Sequence, residues 1–152
     1  MTAQRKRAEP ASRYDRDFYG WAVEQAALLR GGKLAEADIE NIAEEIASLG
    51  RSEQHELINR LIVLLTHLLK WQFQPNLRGN SWRLTLKEQR ARLERHLARN
   101  PSLRPSLNQA VTDAYAIAIV VAQRETGLAE STFPAACPYG MAQIFDPAFL
   151  PD

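Results

Sequence analysis

The sequence predicts an all-α fold, a helical bundle of about five main helices with an extended apolar C-terminal strap. Three observations support this prediction. No proline occurs between Ala11 and Gln74, which leaves room for long helices. Apolar side chains recur every three or four residues in successive segments, as on one face of a helix. No segment shows the alternation of apolar and polar residues that marks a β-strand.

Length and composition predict one globular domain over residues 14–152, preceded by a basic tail. A chain of 152 residues can bury about two thirds of its unfolded surface in a single core. Residues 1–13 carry basic side chains and almost no large apolar ones, so we expect disorder there. The net charge of +1 gives no general attraction to nucleic acid or to anionic membranes.

We expect the chain to be cytoplasmic. Its one cysteine, Cys137, cannot form a disulfide within the chain, which suits a reducing compartment. The basic N-terminus is not followed by the apolar stretch of a signal peptide, and no segment has the ~20 apolar residues of a membrane span.

The first helix is predicted from Asp15, which can cap it, to the glycine pair at 31 and 32. Its inward face consists of Phe18, Trp21, Ala22, Leu28 and Leu29. Gln25 lies in the middle of this apolar face. Because a buried amide without partners costs about 1–3 kcal/mol, we expect Gln25 to be buried and hydrogen-bonded.

A second helix is predicted from Ala35 to Leu49, and Gly50 is placed to end it. Its apolar stripe, expected to face inward, consists of Ile39, Ile42, Ala43, Ile46 and Leu49. A third helix from Ser52 to Trp71 has a wide apolar arc formed by Leu57, Leu61, Leu64, Leu65, Leu68 and Leu69. So wide an arc is typical of a central helix that packs against several neighbours.

A fourth helix begins at Ser81 and stops at Asn100-Pro101, with Trp82, Leu86, Leu93 and Leu97 inward. A fifth, from about Pro105 to Thr126, carries Ala110, Ala114, Ala118 and Ala122 in one row, and Gly127 ends it. A row of small side chains allows another helix to approach closely. The segment from Leu128 onward mixes prolines with aromatic residues, which predicts an apolar strap with at most one short helix.

The order of these segments resembles a bacterial family of domains of unknown function, the one numbered 29. The matching stretches are YDRDFYGWAVEQAALLR, DIENIAEEIASLGRSE, LLTHLLKWQFQP, SWRLTLKEQR, AYAIA near position 115 and FPAACPYGMAQIFDPAFLP. They occur in order and cover nearly everything from Tyr14 onward. The resemblance implies a helical bacterial protein, and it implies no activity because the family has none assigned.

We expect neither a metal nor another cofactor. The residues that invite a di-iron interpretation are Glu40, Glu44, Glu45, His55 and His67. Helical di-iron sites use Glu-x-x-His on two helices, and this sequence has no Glu-x-x-His. The acids at 40 and 44 also lie opposite the apolar stripe of their helix, which favours a solvated or ion-paired face.

One pair of residues raises the alternative of a metal-independent helical ribonuclease. Arg60 and His67 are separated by seven residues, which places them about 20° apart on the third helix. Trp71 lies on the same side of this helix, one turn after His67. An adjacent guanidinium and imidazole could stabilise phosphate charge and activate a ribose hydroxyl. A histidine beside a leucine-rich face is more often structural, so we expect His67 to be covered.

A second alternative is an RNA- or DNA-binding domain. Basic residues are concentrated between residues 70 and 104, interleaved with aromatic side chains that can stack on bases. The predicted binding surface consists of Lys70, Trp71, Arg78, Arg83, Lys87 and Arg90. Residues 36–56 are nearly as acidic, and opposite charges on neighbouring helices usually pair. We therefore expect an ion pair between one of Glu40, Glu44 or Glu45 and one of Arg78, Arg83 or Arg90.

The interpretation that we prefer is a small interaction or regulatory module without catalytic activity. A bundle with an acidic face, a basic face and no buried chemistry suits docking to a protein partner or to a second copy. The sequence leaves the partner unidentified.

Overall fold

The structure, a computed structural model, describes residues 12–152, which form two compact units, residues up to 50 and residues 51–152. The predicted all-α class is confirmed, with no strand among these residues. Where the sequence predicts one domain over residues 14–152, the long helix α3 belongs to both units. The predicted disordered tail falls mostly on residues 1–11, which lie outside the described residues, whereas Arg13 is already helical.

Two helices, one of them only four residues long, replace the single first helix that the sequence predicts. α1 spans Arg13–Arg16 and α2 spans Phe18–Arg30. Asp17 separates them because its backbone is not helical. The side chain of Asp17, rather than the predicted Asp15, caps α2 by accepting a 3.0 Å hydrogen bond from the backbone N of Gly20.

After α2 the chain reverses at Gly32, whose φ of +68° is a left-handed conformation that suits glycine. A 3-10 turn at Leu34–Glu36 leads into the next helix.

α3 is one uninterrupted helix, Ile39–Phe73, and it extends for about 50 Å. The predicted break at Gly50 is wrong. Among the described glycines only Gly32 and Gly127 have positive φ, so Gly50 keeps helical geometry and does not end the helix. A glycine inside a helix costs about 1 kcal/mol, which a helix of this length tolerates. The described residues thus contain four long helices where the sequence predicts five.

The second unit continues α3 and adds α4 (Asn80–Arg99), α5 (Leu107–Thr126) and α6 (Met141–Phe145). α4 begins one residue before the predicted Ser81. Two prolines are confined to a 3-10 segment, Pro101–Ser106, so α5 starts two residues later than predicted. Its predicted end is confirmed, because Gly127 takes a left-handed conformation directly after it.

The core of the second unit confirms the wide apolar arc of α3. All six of its leucines are fully buried, together with Leu86, Leu93 and Leu97 of α4. The predicted alanine row of α5 is buried as well, at Ala110, Ala114, Ala118 and Ala122. These alanines belong to the same core cluster as the buried leucines of α3 and α4.

The predicted strap with one short helix is also confirmed, and polar contacts fix it to the bundle. Arg90 of α4 donates from Nε to the carbonyl oxygen of Ile144 at 2.8 Å and from Nη1 to that of Phe149 at 2.9 Å. The hydroxyl of Tyr139 donates to Oε1 of Gln72 at 2.8 Å.

Candidate interaction surface

The polar centre of the first unit is Asp38, the residue immediately before α3. Its Oδ2 accepts hydrogen bonds from Nε1 of Trp21 at 3.0 Å and from Nδ2 of Asn41 at 2.8 Å. Its backbone N donates to Oε1 of Gln25 at 2.7 Å. These bonds join α2 to the beginning of α3 within the first unit.

The structure confirms that Gln25 is buried and hydrogen-bonded. Its side chain is 7% exposed, and its amide oxygen is the acceptor for Asp38. The hydrogen bonds from Asn41 and Trp21 lower the pKa of the Asp38 carboxyl below its ordinary value, because they favour the ionised form.

A small aromatic cluster completes the unit. The ring of Tyr14 packs against those of Phe18 and Trp21 with centroid distances of 5.7 and 4.8 Å. The hydroxyl of Tyr14 donates to Oε1 of Glu45 on α3. This hydrogen bond to a carboxylate is the main reason why the pKa of Tyr14 is raised to about 12.

The apolar stripe at the beginning of α3 is exposed, contrary to the prediction that it faces inward. Ile39, Ile46 and Leu49 are 51%, 63% and 66% exposed, and Ile42 is half-buried. The side of α3 that packs within the first unit is instead the one that carries Asp38 and Glu45. From here on, the apolar stripe means its four large residues, the exposed Ile39, Ile46 and Leu49 and the half-buried Ile42.

Acidic residues border the apolar stripe on both sides. At about 100° per residue, Asp38 and Glu45 lie along one edge, and Glu40 and Glu44 lie beyond the other, with Ala43 and Ala47 between. Residues 34–50 contain five acids and no lysine or arginine. The apolar stripe is thus an exposed apolar surface that has acidic residues on both sides.

The two candidate catalytic residues do not contact each other. Arg60 forms an ion pair with Glu56, one turn earlier on α3. His67 is half-buried, and its Nδ1 is 2.8 Å from the carbonyl oxygen of Val63. Burial lowers the pKa of His67, because it disfavours the charged imidazolium. Arg60 lines an open cleft between α3 and α4, and His67 is not among the residues that line this cleft.

The aromatic part of the predicted nucleic-acid surface is engaged within the chain. Lys70 forms a 2.9 Å ion pair with Glu125, and its Nζ lies 4.8 Å from the ring centre of Trp82. Arg78 stacks over Trp71 at 5.4 Å and donates to the carbonyl oxygen of the same residue at 2.7 Å.

The remaining basic residues of that surface divide into exposed and buried ones. Arg83 and Lys87 are exposed, and Arg83 donates to Oδ1 of Asn80 at 2.8 Å. Arg90, in contrast, is 4% exposed and donates to backbone carbonyl groups of the strap. It belongs to the interior rather than to a binding surface. The ion pair that we expect between these arginines and the acids at 40, 44 and 45 stays a prediction.

Two features escape the sequence analysis. The capping role of Asp38 has a readable signal, an aspartate three residues before Asn41 at the beginning of an apolar stripe. The exposure of the apolar stripe has a weaker signal in the sequence, which is the acidic residues on both sides of it. No three side chains of the metal-ligating types come together in the described part of the chain. None of the described helices combines the length and hydropathy that crossing a bilayer requires.

Comparison with curated proteins and with solved structures finds no match. The comparison with protein families does find one: the family described as a domain of unknown function, DUF29, matches residues 13–150. This range covers nearly all of the described chain and agrees with the resemblance seen in the sequence. The chain belongs to the DUF29 family.

Proposed function

We propose that this chain is a bacterial cytoplasmic protein-interaction module, and that the apolar stripe binds an amphipathic helix of its partner. The single observation that carries the proposal is the exposure of Ile39, Ile46 and Leu49 on one face of α3. An exposed apolar seam of this kind marks a site of protein association. The cytoplasmic setting is supported by the single cysteine.

The spacing of the stripe fits a helical partner. Its residues follow each other at intervals of three, four and three positions, which is the interval pattern of two helices packed along a seam. Isoleucine and leucine at these positions supply the side chains that such a seam buries. Burying one of them fully contributes about 1.5–3 kcal/mol.

The acidic borders identify the chemistry of the partner. A helix with lysine or arginine beside its apolar row would be attracted by the acidic residues that lie to both sides of the apolar stripe, which favours association and speeds the encounter. A second copy that offered the same face would bring carboxylates against carboxylates. The charges therefore favour a basic partner over self-association.

The test uses two synthetic amphipathic helices that share one apolar row. One carries lysine at the flanking positions and the other glutamate, and each is titrated into the labelled protein with fluorescence anisotropy as the readout. We expect the lysine peptide to bind and the glutamate peptide to bind at least about tenfold more weakly. Equal affinity for both peptides would overturn the charge argument.

Two variants locate the binding surface. Ile46→Gln should weaken the binding of the lysine peptide by about tenfold, because one apolar contact residue is lost. Val120→Gln is the matched control, since Val120 of α5 is 60% exposed in the second unit. Unchanged binding by Ile46→Gln would refute the site. Sedimentation of the chain alone should show a monomer, and a dimer that Ile46→Gln dissociates would replace the basic partner with a second copy.

A further inference from the structure

A second surface, in the second unit, carries the opposite charge. An open cleft of about 460 Å³ lies between α3 and α4. Arg60 of α3 lines one side, and Arg92, Arg95 and Arg99 line the other. The three arginines of α4 are spaced by three and four residues, so they project from neighbouring positions on the same side of the helix.

The acids near the cleft already have partners. Glu56 pairs with Arg60, and Glu88 pairs with Arg92 at 2.8 Å. Oε2 of Glu53 accepts a 3.2 Å hydrogen bond from Nδ2 of Asn100 and lies 3.6 Å from Nδ1 of His96. These contacts leave the cleft with more arginine than carboxylate.

Arg95 and Arg99 are the arginines without an acidic partner. Both are exposed, and neither forms an ion pair or a side-chain hydrogen bond with another described residue. They lie one turn apart on α4, a rise of about 6 Å. Two like charges at this spacing repel each other, so an anion placed between them would relieve the repulsion and fill the open donors.

The geometry points to a ligand with linked phosphate groups, and we propose that this cleft is an oligophosphate-binding site. A guanidinium presents its donors as a planar fork that matches phosphate oxygens, and two forks one turn apart suit two linked phosphates better than one carboxylate. The lining includes no phenylalanine, tyrosine or tryptophan ring on which a base could stack, and the imidazole of its His96 lies 2.8 Å, through Nε2, from the carbonyl oxygen of Glu53. The cleft therefore selects phosphate charge and not base identity.

The proposal is tested by calorimetric titration at low salt with three probes that separate the sources of the phosphate. Inorganic tripolyphosphate offers the group alone, ATP offers it on a nucleoside, and a short single-stranded RNA offers phosphodiesters. We expect tripolyphosphate to bind, and its affinity to fall several-fold as salt is raised, because the cleft is open to solvent. ATP should bind about as well as tripolyphosphate, which would place the recognition on the phosphates.

The decisive variant is Arg95→Gln combined with Arg99→Gln. This double variant should weaken the binding of tripolyphosphate by at least about tenfold. The charge-matched control combines Arg104→Gln with Arg124→Gln, which removes two exposed arginines from outside this cleft. If both variants weakened binding equally, the effect would come from the net charge of the protein alone, and the proposed site would be overturned. RNA binding without tripolyphosphate binding would also overturn it, in favour of a nucleic-acid surface. All four side chains are exposed, so circular dichroism should show both variants folded.

Discussion

Nε1 of Trp21 donates a 3.0 Å hydrogen bond to Oδ2 of Asp38, and this contact joins the first turn of α2 to the residue immediately before α3. The same carboxylate holds Asn41, and the backbone N of Asp38 holds Gln25. Asp38 therefore precedes the first turn of α3 and connects it to two residues of α2, Trp21 and Gln25. The orientation of the apolar stripe depends on this arrangement, because the packed side of α3 determines which side is left exposed.

The first prediction concerns the pH dependence of the first unit. Hydrogen bonds lower the pKa of Asp38 in the folded chain below its ordinary value of 3.8. A carboxyl group with a lowered pKa contributes stability that is present above the unfolded pKa and lost as pH falls through the folded one. We therefore expect hydrogen exchange of residues 14–45 to become faster as pH is lowered below about 4, after correction for the intrinsic rate.

Asp38→Asn is the variant that isolates this effect, because it keeps the size of the side chain and removes its titration. It should abolish the acid-dependent part of the exchange at residues 14–45. Asp113→Asn is the control, since Asp113 is exposed on α5 and accepts a hydrogen bond from Nε2 of Gln109 on the same helix. An acid-dependent loss that survives in Asp38→Asn would contradict the role assigned to this carboxylate.

The second prediction uses two glycines of different conformation. Gly50 is helical, and a Cβ added there meets nothing within 4 Å. Gly50→Ala should therefore stabilise the chain by about 0.5–1 kcal/mol, the helix-propensity difference between the two residues. Gly32→Ala is the counterpart, and it should destabilise by about 1 kcal/mol because φ is +68° there. The measurement is urea unfolding of both variants, and destabilisation by Gly50→Ala would argue for a break in α3.

The contrast between these glycines shows where sequence reasoning succeeds. Helix periodicity locates the long helices, the leucine arc and the alanine row, because core packing imposes it directly. It cannot tell a glycine that ends a helix from one that a helix tolerates, since the difference is one dihedral angle. Periodicity also cannot tell whether an apolar face of a helix packs within the chain or stays exposed. The stripe at 39–49 has the pattern of a buried face, and in the structure it is exposed.

Arg90 marks a further limit of prediction from the sequence. Charged residues lie two positions away on either side, at Glu88 and Arg92, and nothing local separates Arg90 from the exposed arginines of the same helix. The difference lies in a contact with residues more than fifty positions away, the carbonyl groups of Gln143, Ile144 and Phe149. Long-range polar contacts of this kind leave no periodic signal.

The third prediction follows from that contact. Arg90→Met removes a charged donor from three buried or half-buried carbonyl groups, and we expect it to cost about 3 kcal/mol in unfolding free energy. Arg83→Met, on the same helix but exposed, should cost less than about 1 kcal/mol. Limited proteolysis should also cut the 139–151 strap of Arg90→Met first. A strap that stays protected in this variant would show that apolar packing alone retains it.

The fourth prediction concerns His67, the residue on which an enzymatic interpretation would rest. Burial lowers its pKa from 6.5, and Lys70 adds to this effect, while the hydrogen bond to Val63 opposes it. The unfolded chain therefore takes up a proton near its ordinary pKa before the folded chain does, so His67 lowers stability as pH falls below about 6.5. NMR titration of His67 should give a midpoint below the ordinary value of 6.5, and His67→Gln should reduce the loss of stability between about pH 7 and 5. If the structural role is right, His67→Gln leaves RNA cleavage at the level of the wild type and changes only this pH profile. A folded variant that lost an RNA-cleaving activity of the wild type would make His67 catalytic and displace the interaction module as the function.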